Sequence, residues 1–195
     1  MIKALMLVFS ASKTWESIKT DQRSVAQIST TFFLPLLAVT SLAEAFGMLR
    51  LGMEHGTLTT TLVKPPVELL LRYELVQVGL SLAIVYLGSI ALQKIGASFH
   101  RRHSYQECFT TLAYSLSPLY LMRVLDGVPA MDTWACYGIG IFLALSLLYR
   151  GIPFIMRPDP SNALGLFVFC SFLLLMATGL AHWVATLVLA ERLLA

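Results

Sequence analysis

Long apolar runs separated by short polar turns dominate the chain from residue 31 onward. A helix crossing a bilayer needs about 20 mostly apolar residues, because it rises about 1.5 Å per residue through about 30 Å of hydrocarbon. Five stretches approach that length: residues 31–49, 69–92, 108–125, 133–149 and 163–190. The third and fourth are the shortest, and both carry interrupting or small residues such as Pro118 and Gly140. They still read as crossings, because the chain offers no soluble remainder that could bury them. The last stretch exceeds the required length, so it tilts or ends in an interfacial turn near Trp183. The pattern predicts an all-α polytopic membrane protein of five transmembrane helices, forming one domain over residues 1–195.

Ahead of the first crossing, Trp15, Ile18, Val25 and Ile28 recur at roughly helical spacing, with Lys13, Lys19, Asp21 and Arg23 between them. Ser10 or Ser12 can cap such a helix. Residues 1–30 are therefore expected to hold a short amphipathic helix lying at the cytoplasmic interface. The apolar run at residues 4–9 is too short for the core of a signal peptide, so the segment reads as retained.

Composition narrows the class further. Hydrophobic residues make up 57% and charged residues 13% of the chain, and mean hydropathy is +0.74. A soluble globule could not hide that much apolar surface, and disorder needs the opposite balance. Three Cys cannot form a disulfide framework, and 14 Lys+Arg against 11 Asp+Glu is too small an excess for nucleic-acid binding.

The few charges carry the orientation. Lys3, Lys13, Lys19, Arg23, Lys94, Arg101, Arg102, Arg150 and Arg157 fall on one side of the five crossings. Arg50, Lys64, Arg72, Arg123 and Arg192 fall on the other. The positive-inside rule then puts the N-terminus in the cytoplasm and the C-terminus outside. The basic loop around Arg101 and Arg102 is a topology signal, or else a contact for anionic lipid or a partner.

On that topology six ionisable residues share one membrane depth toward the external side: Glu44, Arg72, Glu74, Arg123, Asp126 and His182. Such residues are functional candidates by default, because charge is costly in hydrocarbon. One reading is an internally paired polar plug, Glu44 with Arg72 or His182, that fixes helix register. The other is an external-facing cavity for a lipid headgroup, a cation or a proton. A metal site of Glu44, Asp126 and His182 is possible in residue type only, because a sequence does not show whether three separate crossings converge. Pro118 should kink the third crossing, with Ser115 and Ser117 satisfying the freed backbone groups. Ala177, Ala181 and Ala185, with Gly79 and Gly140, are the small residues expected at helix–helix contacts.

Three segments stand out: Ser12-Lys13-Thr14-Trp15-Glu16-Ser17-Ile18 followed by Pro35, Tyr114-Ser115-Leu116-Ser117-Pro118, and Tyr149-Arg150-Gly151-Ile152-Pro153-Phe154-Ile155-Met156 before a final long crossing. Together they resemble the Yip family of Ypt/Rab-interacting membrane proteins. The resemblance implies five spans with a cytosolic N-terminus, and a role as a scaffold or interaction protein in membrane organisation or trafficking. It implies membrane lipids, other membrane proteins and further copies of the chain as partners, with a Rab-type GTPase only in a eukaryotic setting. The short N-terminal region is closer to bacterial members of the inner membrane. A small transporter, channel or lipid-translocating protein using the polar cluster is the alternative. No cofactor is expected, and phosphate-loop, zinc-protease and serine-hydrolase motifs are missing from the sequence, so no enzyme is predicted.

Overall fold

The computed structural model describes residues 4, 6–7, 10–55, 61–98, 103–159 and 161–190. Its elements in chain order are α1 (Ala11–Asp21), α2 (Val25–Leu51), a hairpin of β1 (Met53–His55) and β2 (Thr61–Val63), α3 (Val67–Ser98), α4 (Tyr105–Ser115), α5 (Ser117–Asp126), α6 (Thr133–Met156) and α7 (Ala163–Ala190). Among the described residues, four helices are long and apolar enough to cross a membrane: α2, α3, α6 and α7.

Local chemistry sets the ends of these helices. Ser24 and Gln27 cap α2 reciprocally, as Ser104 and Glu107 cap α4. Asp132 Oδ1 accepts from Ala135 N at 2.8 Å and opens α6. Pro35 has no N–H to give, and the turn before it widens to π geometry over Ser29–Phe33. The same device carries α6 past Pro153 through a π turn at Ile152–Met156, where Arg157 N reaches Ile152 O at 3.1 Å. The fourth hydrophobic segment, expected over residues 133–149, therefore continues as helix to Met156 despite Pro153.

The third hydrophobic stretch is two helices, not one. They meet at Leu116, and Pro118 lies in the first turn of α5. Ser117 Oγ donates to Tyr114 O at 2.7 Å, the carbonyl that Pro118 leaves without its helical donor. Ser115 does not share this task, since its buried Oγ has no partner among the described residues. Residues 108–120 are all buried, with α2, α3 and α6 packed around them and α7 closing against α3. The outer helices instead expose Leu42, Phe46, Leu75, Phe142, Phe172 and Leu180. A helix wrapped by protein has no need of a fully apolar surface, which explains why this stretch is shorter and more polar than its neighbours.

The fold is not purely helical. Gly52, at φ +85°, ends α2 in a conformation that L side chains rarely adopt, and Met53 then pairs antiparallel with Val63. This hairpin lies in the link between the first two expected crossings, where the run from Thr57 to Val63 is rich in β-branched residues.

Helix α1 buries Ala11, Thr14, Trp15 and Ile18. Trp15 is fully enclosed and meets Tyr114 edge-on, at 6.4 Å between ring centroids. A Cβ on Gly151 would lie 2.6 Å from the Trp15 ring, so the end of α6 accepts this indole only because residue 151 lacks a side chain.

Candidate functional site

The polar centre of the bundle is built from α2, α3 and α5. Glu44 on α2 is completely buried. Its Oε1 accepts from Tyr73 Oη at 2.7 Å and from Gln77 Nε2 at 3.3 Å. Its Oε2 lies 3.0 Å from Arg123 Nε and 2.7 Å from Arg123 Nη2. The same Nη2 is 3.0 Å from Glu74 Oε2 and 3.3 Å from Ser41 Oγ. One guanidinium on α5 thus ties two carboxylates on two other helices, the fork geometry to which arginine is suited.

Two glycines make this approach available. A Cβ on Gly47 would stand 2.5 Å from Gly127 O, and one on Gly127 would stand 2.8 Å from Glu44 O. The backbone of α2 therefore rests directly on the end of α5, within one turn of both Glu44 and Arg123. Gly140 plays a similar part between α6 and α5, where an added Cβ would meet Leu119 Cα at 3.0 Å.

Beyond Arg123 lies a cavity of about 40 Å³, lined in part by Gln77, Ser81, Tyr120, Arg123, Asp126 and His182. It has room for about two or three waters. Arg123 Nη1 and Asp126 Oδ1 are buried without hydrogen-bond partners among the described residues. Glu44 is not part of the lining.

The six ionisable residues read as one cluster separate in space. Glu44, Glu74 and Arg123 come together, and Asp126 and His182 line the cavity next to them. Arg72 does not join them: it is exposed, since successive residues on a helix are turned by about 100° and Tyr73 takes the inward position. Arg123, not Arg72, is therefore the partner of Glu44. Nor does His182 pair with Glu44. Its ring stacks on Tyr137 at 4.9 Å and meets Trp134 edge-on at 4.7 Å, with Nε2 3.5 Å from Thr133 Oγ1. No three His, Cys, Asp or Glu side chains among the described residues group as metal ligands, so Glu44, Asp126 and His182 do not form a metal site.

Of the remaining expected contact positions, Ala185 is buried beside Met48, Leu69, Leu70 and Tyr73. Ala177 and Ala181 are half-buried, and Ala181 borders the cavity. Gly79 faces outward with nothing within 4 Å of an added Cβ, so it makes no helix contact. It lies on the far side of α3 from Gln77 and Ser81. Arg101 and Arg102 fall outside the described residues.

Sequence reasoning missed Ser41, Tyr73 and Gln77, and the glycine pair at 47 and 127. One signal was present: Tyr73, Gln77 and Ser81 recur every four residues, a polar stripe along an otherwise apolar helix.

Compared with known proteins, the chain matches the model of the Yip1 domain over residues 5–181. No curated protein and no solved structure matches it.

Proposed function

Because the chain belongs to the Yip1 domain family, we propose that this membrane protein acts as a non-conducting scaffold whose interior charges hold its helices in a fixed arrangement. In this reading α4 and α5 together make the fifth crossing, α1 lies along the cytoplasmic interface, and the C-terminus faces outward. Its partners are membrane lipids, other membrane proteins and further copies of the chain, within a bacterial inner membrane.

One observation carries the proposal. The carboxylate of Glu44 is fully enclosed, with both oxygens satisfied by Tyr73, Gln77 and Arg123. A group that carries an ion or proton across a membrane must exchange with water on one side, and this one is shut in by its own hydrogen bonds. The adjoining cavity, at about 40 Å³, is too small for a lipid headgroup. A buried pair of this kind does little for net stability compared with an apolar substitute, but breaking it is expensive, so it selects one helix arrangement over others.

A scaffold is tested by its neighbours. Photo-crosslinking from outward positions of α2 and α7, such as Phe46 and Phe172, should capture a reproducible set of membrane proteins or a second copy in the native membrane. Capture of lipid alone at every position would count against the scaffold.

A further inference from the structure

A second cavity shares no lining residue with the one beside Arg123. It is a cleft of about 570 Å³ between α1, the face of α4 that carries Gln106, Thr110 and Tyr114, and the π turn that ends α6. Its volume falls within the range of about 300–1,000 Å³ typical of small-ligand sites. Lys19 from α1, Arg23 from the corner before α2 and Arg157 from beyond the π turn all contribute to its wall. Glu107 is the one carboxylate in the described lining, and its Oε2 is engaged by Ser104 N at 2.9 Å in the cap of α4. Asp21 offsets part of the charge from outside the lining, 3.3 Å from Arg23. Cations still outnumber carboxylates.

The wall is also shaped. Gln106 Nε2 donates to Arg23 O at 2.8 Å and pins the α1–α2 corner to α4. Gln22 and Arg157, which end α1 and the π turn, both take left-handed backbone at φ 41° and 47°. Such conformations cost energy in residues other than glycine and persist where the surroundings enforce them. Gln22, Ser104, Gln106 and Thr110 add polar side chains to the lining, and Ile18, Ile28 and Met156 are buried against it. Three cations with hydroxyl and amide groups beside them suit the phosphate of an anionic headgroup, at the end of an apolar bundle. The three segments that meet here are also three that carry the Lys and Arg excess in the sequence, and Arg101 and Arg102 closely precede Ser104 in the chain.

We propose that this cleft binds a phosphate-bearing anion supplied by the headgroup of an anionic phospholipid. The cations would sit at headgroup depth, where each Lys or Arg contributes about 1 kcal/mol of attraction to anionic lipid, or about fivefold in affinity.

The test uses the full chain purified in neutral detergent, with thermal unfolding followed as short-chain phosphatidylglycerol, short-chain phosphatidylcholine or inorganic phosphate is added. Saturable stabilisation by phosphatidylglycerol is expected, with none from phosphatidylcholine. Lys19→Gln and Arg157→Gln should each weaken it about fivefold. Lys94→Gln, which removes an exposed cation that does not line the cleft, should change it less than twofold. Native mass spectrometry of the unaltered chain gives a second reading that needs no variant, and phosphatidylglycerol should be retained in preference to phosphatidylcholine. Equal response to both lipids, or an equal loss with Lys94→Gln, would overturn the proposal. Inorganic phosphate binding as tightly as phosphatidylglycerol would overturn the lipid as its source.

Discussion

Arg123 Nη2 lies 2.7 Å from Glu44 Oε2 and 3.0 Å from Glu74 Oε2, so one side chain on α5 holds carboxylates from α2 and α3 together. The two acids are not equivalent, because Glu44 is fully enclosed and the Glu74 side chain is 12% exposed. Arg123→Met strands both carboxylates, whereas Glu44→Gln leaves Arg123 still paired with Glu74. Removing one partner of a buried pair costs about 3–5 kcal/mol. Arg123→Met should therefore reach that range in equilibrium unfolding from mixed micelles, and Glu44→Gln should cost clearly less. Combining Glu44→Gln with Arg123→Met should recover part of the loss, since the double variant strands only Glu74.

Tyr73 donates to Glu44 at 2.7 Å from within the bundle. A hydrogen bond to a charged acceptor contributes about 1.5–3 kcal/mol. Tyr73→Phe should lower stability by that amount in the same unfolding assay, with helix content by circular dichroism unchanged.

The glycine contacts predict a contrast within one protein. Gly47→Ala places a methyl group 2.5 Å from Gly127 O, backbone that cannot step aside. Forced overpacking of this kind costs about 1–3 kcal/mol. Gly79→Ala meets nothing within 4 Å and should be neutral or slightly stabilising, because alanine is the better helix former. Melting curves of the two variants side by side test this.

Trp15 fixes α1 to the bundle through its contacts with Tyr114 and the π-turn end of α6. Trp15→Ala should cost about 3–5 kcal/mol. It should also expose the segment before α2 to limited proteolysis, read by the appearance of a cut between α1 and α2.

Much of this fold is visible in the sequence for a simple reason. Helices facing lipid must be apolar over most of their surface, so α2, α3, α6 and α7 announce themselves as long hydrophobic runs. The α4–α5 pair is less visible because other helices cover it, which permits Thr110, Thr111, Ser115, Ser117 and Arg123 among its buried residues. Glu44 and Arg123 stand out as charges within apolar surroundings. That they pair with each other does not, because the pairing depends on the rotation of three helices about their own axes. One residue of error, from Tyr73 to Arg72, turns a side chain from the interior to the surface. Gln77 shows only as part of the Tyr73–Gln77–Ser81 stripe, and Ser41 gives no warning at all, since hydroxyl groups are ordinary in membrane helices. The hairpin after α2 is hidden in the same way, as β-branched residues also occur in loops.

A closed and structural Glu44–Arg123 lock is tested by ion and proton flux, with lipid scrambling, in liposomes holding the purified chain or its Glu44→Gln variant. Both should match protein-free liposomes. Flux or scrambling that the unaltered chain supports and Glu44→Gln abolishes would contradict the account.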